Sequence, residues 1–395
     1  MVQLPQELID AIMEKVNERD ALHACCLAGR TFLAGSRSNL FRSMSLRWDP
    51  SSRTAPVFAR VRSFFDEHPH LALYIRDLTV DIPKSQQDQV ILKTVLLMLV
   101  NLERLAINGH AQHWDDLVPD LNSAILSLIS LSSLQRLHLL RISSLPASVV
   151  LHAASTVRTL SLNRVIPQRL RDVSPNILPI IGLHNLILPW CLTTDTLTRV
   201  CDFLLAAQNL RRLTVDVHTS GYHRTLLVAS STNLQHIELD CGAFLIALDL
   251  PPLPALQSLT LILGKSIDAD QRWSLPENLS STITTLPMIS PRLEALNLTI
   301  HIRTLGTEPL WNDPNPFPFF ESPSYREQLP RLQNIHCSLG YSDPFVACAG
   351  AYFELAFQRF VAFLESKLPA AFDEGILTFA RGVQRSRLNY FDNLP

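Results

Sequence analysis

Along most of the chain one phrase recurs: an apolar residue, two free positions, a second apolar residue, one more free position, and a third apolar residue. Its ten copies are Ile75-Leu78-Val80, Leu102-Leu105-Ile107, Leu134-Leu137-Leu139, Val157-Leu160-Leu162, Leu183-Leu186-Leu188, Leu210-Leu213-Val215, Leu234-Ile237-Leu239, Leu256-Leu259-Leu261, Leu293-Leu296-Leu298 and Leu332-Ile335-Cys337. The last two members of each triple alternate and so share one side of a strand, while the first turns into the same core from the preceding bend. Between Leu137 and Leu259 the central residues stand 22 to 27 positions apart. One such coil cannot bury its own leucines, so neighbours must stack. Segments between copies, Leu121 to Ile129, Ala147 to Ala154 and Asp195 to Ala207, carry helical spacing. The predicted fold class is α/β: over 75–348, a curved solenoid with a parallel sheet on its concave face and helices outside.

Past Leu259 the spacing stretches to 37 and then 39 residues, which means insertions. The larger, 308–330, sets Trp311, Phe317, Phe319, Phe320 and Tyr325 among prolines. Proline density argues against helix or central strand and predicts a loop with exposed aromatics. Such a loop either folds as a flap onto the last copies or grips a substrate. Residues 349–395 read as a closing cap, with a helix from Ala349 to Leu368 and a strand over Ile376 to Phe379.

Residues 1–46 follow another pattern. Pro5 suits a first helical position, and Glu7 lies at the positive end of the helix dipole. Leu8, Ile9, Ile12, Met13 and Val16 make one apolar face. Asp20 is a candidate N-cap for a second helix carrying Leu22, Cys25, Cys26 and Phe32, with Gly29 inside it, and a third short helix follows Ser36 to end near Leu40 and Phe41. A loop and a helix from Val57 to His68 fill 47–74. Three short helices hold too little interior to stand alone, so a neighbour covers part of this apolar surface. That neighbour is either the array, with the helices as its cap, or a partner.

The order Leu4-Pro5, Glu7-Leu8-Ile9, Ile12, Asp20, Leu22, Cys25, Leu27, Arg30, Phe32 and Leu40-Phe41-Arg42 resembles the F-box, a three-helix motif, in the form common in fungal families. It departs from the usual pattern at Phe41, where many members have Trp, and at Ala28-Gly29-Arg30. The later copies resemble the irregular leucine-rich repeats often attached to F-boxes. The usual Asn or Cys three positions after the last apolar residue is met only by Cys191. The resemblance implies that Leu4, Pro5, Leu8, Ile9, Ile12, Leu22, Cys25, Leu27, Phe32, Leu40 and Phe41 dock on the Skp adaptor of a Skp-cullin-F-box ubiquitin ligase. The adaptor connects to the cullin scaffold, and the array holds a protein substrate. A leucine-rich interaction scaffold with no role in ubiquitination is the other reading.

Composition narrows the chemistry. With 395 residues, 47% hydrophobic content and a formal net charge of -2, the chain can bury a large core and carries no electrostatic footprint for nucleic acid or an anionic membrane. Seven cysteines without a CxxC pair fit a reduced cytoplasmic or nuclear setting. The first residues do not read as a secretory signal, and no apolar run is long enough to span a bilayer. No two glycines are spaced GxG, Gly264-Lys265-Ser266 lacks the earlier glycine of a phosphate loop, and HExxH and GxSxG are missing. His110 and His113 with Asp115 and Asp116 are the densest potential metal ligands, on an expected strand-to-helix loop, and a polar loop explains them equally well. The expectation is a protein with no catalytic residues, metal or cofactor. Its candidate substrate surface is the polar set alternating with the strand leucines: Arg104, Asn108, Arg136, His138, Arg212, Thr214, Asp216, His236, Glu238, Asp240, Asn297, Asn334 and His336. Cations gather over Arg104 to Arg212 and acids over Asp216 to Asp240, which suits a bipolar ligand or a peptide charged at both ends.

Overall fold

The computed structural model describes residues 4–16, 18–47, 57–166, 180, 182–188, 207, 209–216, 222–242, 248, 250–264, 277–302, 317–320, 324–341 and 350–381. It is α/β and divides into two compact units, Met1–Leu183 and His184–Pro395.

The first unit begins with α1 (Gln6–Met13), α2 (Arg19–Ala28) and α3 (Arg30–Leu40), followed by β1 (Ser43–Leu46), α4 (Val57–Glu67) and α5 (Pro69–Ala72). Then β2 (Asp77–Asp81), α6 (Gln86–Leu97), β3 (Arg104–His113), α7 (Pro119–Ile129), β4 (Arg136–Ser143), α8 (Ala147–Thr156) and β5 (Thr159–Asn163) alternate. The five strands are parallel and lie side by side in chain order. A parallel return needs a crossover, and the helices between strands supply it. Leu78, Leu105, Leu137 and Leu160, the central members of four phrases, pair across the strands, as do Val80, Ile107, Leu139 and Leu162 one step on. All eight are buried, so a one-residue slip would turn every leucine outward.

The second unit repeats the scheme with seven parallel strands: β6 (Asn185–Leu188), β7 (Arg212–Asp216), β8 (His236–Gly242), β9 (Ser258–Gly264), β10 (Ala295–Ile302), β11 (Asn334–Tyr341) and β12 (Leu377–Arg381). Leu186, Leu213, Ile237, Leu259, Leu296, Ile335 and Leu377 form its central row. Helices Tyr222–Ser230, Glu277–Ile289 and Gly350–Lys367 lie between strands in the sequence.

One backbone device recurs at the strand entries. The carbonyl of Arg42 accepts from the N–H groups of Arg76 and Asp77, Arg76 from Glu103 and Arg104, Glu103 from Gln135 and Arg136, and Gln135 from Arg158 and Thr159. In the second unit His184, Arg211, Gln235, Gln257 and Glu294 accept in the same way. One carbonyl thus satisfies two amides at each bend, which answers the demand that buried backbone groups be paired.

Several expectations need correction. The third helix starts at Arg30 and takes in Phe32, and Gly29 is the break between α2 and α3, in extended backbone, so a mid-helix glycine penalty does not arise there. Asp20 lies in the first turn of α2, whose N-cap is Glu18 with no side-chain cap bond. The first strand comes earlier than the first phrase, since β1 pairs with β2 through Ser43↔Asp77 to Leu46↔Val80. In the insertion, Phe317, Phe320 and Tyr325 are buried and a short helix, Tyr325–Gln328, forms despite the prolines. Phe319, Phe320 and Tyr325 meet edge-on, Phe320 and Tyr325 at 5.3 Å between centroids, because apolar area outweighs the local aversion to order. Trp311, Cys191 and nearly all of Asp195 to Ala207 lie outside the described residues. Among the described residues no helix is long and apolar enough to cross a membrane.

Candidate functional site

Two surfaces hold the residues singled out by the sequence. The first is on the N-terminal helices. Ile9 and Met13 of α1 close on Leu22 of α2, and Val16, Cys25, Phe32 and Leu40 pack against that small core. Gly35 marks the close approach of α3 to α1: a Cβ there would lie 3.0 Å from the Met13 Cβ, so Met13 would have to give by a few tenths of an ångström. Polar ties hold the same contact, with Gln6 Nε2 donating to the Thr31 carbonyl at 3.0 Å and the Asn39 amide donating to the Met13 carbonyl.

Outside this core several apolar side chains stay exposed. Leu8 and Ile12 lie one turn apart on α1 and Leu4 stands just ahead of the helix; this stripe of three is 55% (Leu4), 49% (Leu8) and 51% (Ile12) exposed. Leu27 on α2 is 88% exposed. The expected docking set therefore separates. Pro5, Leu4, Leu8, Ile12 and Leu27 face outward; Ile9 and Leu22 are core; Cys25, Phe32, Leu40 and Phe41 are partly buried. Phe41 leans toward Phe64 of α4, ring centroids 6.4 Å apart.

The second surface is the polar side of the strands. In the first unit the rows run Asp77-Arg104-Arg136-Thr159 and Thr79-Ala106-His138-Ser161. Arg104 is held by Asp77 through two hydrogen bonds, which raise its pKa further, and Arg42 reaches Asp77 at 3.9 Å and Glu103 at 3.4 Å. The expected cationic stretch is thus partly neutralised by an acid beside the phrase. His138 is buried, and burial, with Arg136 and Arg104 nearby, pulls its pKa down to about 4, so it is neutral at pH 7.

His110 and His113 lie on β3 itself and not on a loop. His110 Nε2 is 3.4 Å from an Asp81 oxygen, which also has Asn108 as a donor partner on its other oxygen at 3.0 Å, and His113 Nδ1 is 3.0 Å from Ser144 Oγ. The described residues contain no group of three His, Cys, Asp or Glu able to hold a metal ion.

In the second unit Arg212, His236 and Ser258 share one row, and Thr214, Glu238, Thr260, Asn297, His336 and Thr378 share the next. Asp216 and Asp240 pair one step further on. Burial, then Arg212, lowers the His236 pKa, with Glu294 opposing. Hydrogen bonds run across the strands: Asn297 donates to Thr260 Oγ1 at 3.1 Å, Ser338 to Thr299 at 2.9 Å, and Thr378 to Asn334 Oδ1 at 3.0 Å, with His336 Nδ1 also 3.0 Å from Thr378. Arg212, Glu238 and Asp240 therefore lie on one polar face, while Arg104, Arg136 and His138 belong to the face of the first unit. Sequence reasoning missed Asp77, whose only signal is a carboxylate just before a phrase's central leucine, and Gly35, whose signal is a glycine facing an apolar helix stripe. No protein-family model and no curated protein matches the chain.

Proposed function

We propose that the chain is a substrate-receptor subunit of a Skp-cullin-F-box ubiquitin ligase, with α1–α3 as its F-box and the strands and helices that follow as a leucine-rich-repeat solenoid. The observation that carries this reading is the apolar stripe Leu4, Leu8 and Ile12 with Leu27, left outside a module whose own core is already closed by Ile9, Met13 and Leu22. Full burial is worth about 1.5–3 kcal/mol for a fully exposed side chain, so Leu27 offers nearly that much and the half-exposed Leu4, Leu8 and Ile12 about half of it each, before the costs of association. The polar strand faces hold the target protein. The mechanism is proximity: tethering the target near a ubiquitin-charged enzyme raises its effective concentration, and the chain supplies no reacting group.

The test is recovery of the Skp adaptor by the whole chain and by the double variant Leu8→Lys, Ile12→Lys. Equal recovery by both overturns the assignment. A second reading, an interaction scaffold whose first helices only cap the array, draws on the pairing of β1 with β2, which joins the module to the strands. It predicts no adaptor recovery by either protein.

A further inference from the structure

A pocket of about 470 Å³ opens in the first unit where the end of α3, β1 and α4 meet. Its size falls in the range of small-molecule sites, about 300–1,000 Å³. The buried Phe65 and Ile75, the half-buried Phe41 and Met44, and Phe64, which is 39% exposed, line it. One helix lines it lengthwise, from Val57 through Arg60 to Phe65, a span of about 12 Å at the helical rise. The pocket therefore runs along one face of α4.

Little of its lining is polar. Of the two polar side chains in the lining, Ser43 already donates to Asp77 at 3.2 Å. The other, Arg60, makes no ion pair among the described residues, unlike Arg62 two positions on, which lies 3.7 Å from Asp66. Arg60 stands in the first turns of α4, where the helix dipole adds positive potential, while the aromatic wall lies toward its far end. An extended peptide suits such a pocket badly, since its backbone amides would find almost no partners. A hydrocarbon chain with one anionic end satisfies every part of it. A planar carboxylate matches the guanidinium fork, and the tail takes the length of the groove.

We propose that this pocket binds a medium-chain monocarboxylic acid, carboxylate on Arg60 and acyl chain along α4 against Phe41, Phe64 and Phe65. The bound acid braces the end of α3 against α4. The site is separate from the Leu4, Leu8 and Ile12 stripe and stands or falls independently of the adaptor reading.

The experiment is calorimetric titration of the whole chain with hexanoate, octanoate, decanoate and decanol. The expected result is one saturable site, an affinity that rises about fourfold per added methylene until the groove is full, and decanol about tenfold weaker than decanoate. Arg60→Gln, an exposed position that leaves the fold intact, brings decanoate down to the affinity of decanol, and Val61→Trp blocks both ligands. The Leu8→Lys, Ile12→Lys variant binds decanoate as the parent does. Three results overturn the proposal: no saturable binding to the parent chain, unchanged decanoate affinity in Arg60→Gln, or loss of binding in Leu8→Lys, Ile12→Lys, which would put the ligand on the α1 stripe.

Discussion

Arg104 donates from Nε to one oxygen of Asp77 at 2.6 Å and from a second nitrogen to the other, across the β2–β3 register. Asp77 also draws Ser43 of β1 and Arg42, so one carboxylate ties three consecutive strand entries. Its side chain is only 12% exposed, whereas that of Arg104 is 45% exposed, and solvent screening trims the value of the pair. Asp77→Asn is expected to lower stability by about 1 kcal/mol, with the loss shrinking in molar salt. Urea denaturation at low and high salt measures both.

The N-terminal helices predict two opposite outcomes from neighbouring residues. Ile9→Ala empties part of the small core and should cost about 2–4 kcal/mol. Leu8→Lys touches only the exposed stripe and should change stability by less than about 0.5 kcal/mol. Adaptor recovery should fall in both. Circular dichroism melts separate the unfolded cause from the surface one.

His138 makes stability depend on pH. Its folded pKa of about 4 lies below the unfolded value of 6.5, so the unfolded chain binds more protons between the two. The contribution is complete above pH 6.5 and is lost as pH falls toward 4. Between pH 7 and pH 5 it should remove about 2 kcal/mol. His236 is shifted the same way and adds to the trend. In His138→Gln the difference between unfolding free energies at these two pH values should shrink by that amount.

Tyr325 locks the insertion to the end of the second unit. Its hydroxyl donates to Glu374 at 2.6 Å, Arg326 reaches the same oxygen, and Glu374 is held below the usual carboxylate range first by the Tyr325 bond. Tyr325→Phe should cost about 1 kcal/mol, the net value of one hydrogen bond, and Tyr325→Ala about 3–5 kcal/mol through the cavity. Chemical denaturation of the two variants orders them.

The strand rows were legible because burial on a pleated sheet demands a strict period, and Leu78, Leu105, Leu137 and Leu160 keep it. What escaped has physical reasons. Ser43–Leu46 is only four residues long and carries no copy of the phrase, so its strand character shows only through its pairing with β2. Phe320 and Tyr325 are buried, against the expectation of exposed aromatics and in keeping with the flap alternative, because prolines speak for local conformation and say nothing of the aromatic partners that fold back over them. On the polar face, alternation told which side Arg104 occupies, whereas its neutralisation required the register with Asp77. The stripe at Leu4, Leu8 and Ile12 was visible as apolar spacing, and only packing distinguished it from Ile9 and Met13.

The pairing of β1 with β2 also bears on how the first helices can be removed. β2 pairs its amides and carbonyls with β1, so a chain trimmed of residues 1–46 would leave an open strand margin ready to join another molecule's sheet. Such a truncation would associate with itself for reasons unrelated to any adaptor. The short strand Ser43–Leu46 acts as a guard against edge-to-edge aggregation, and charged substitutions on α1, which leave that guard in place, are the sounder way to silence the module.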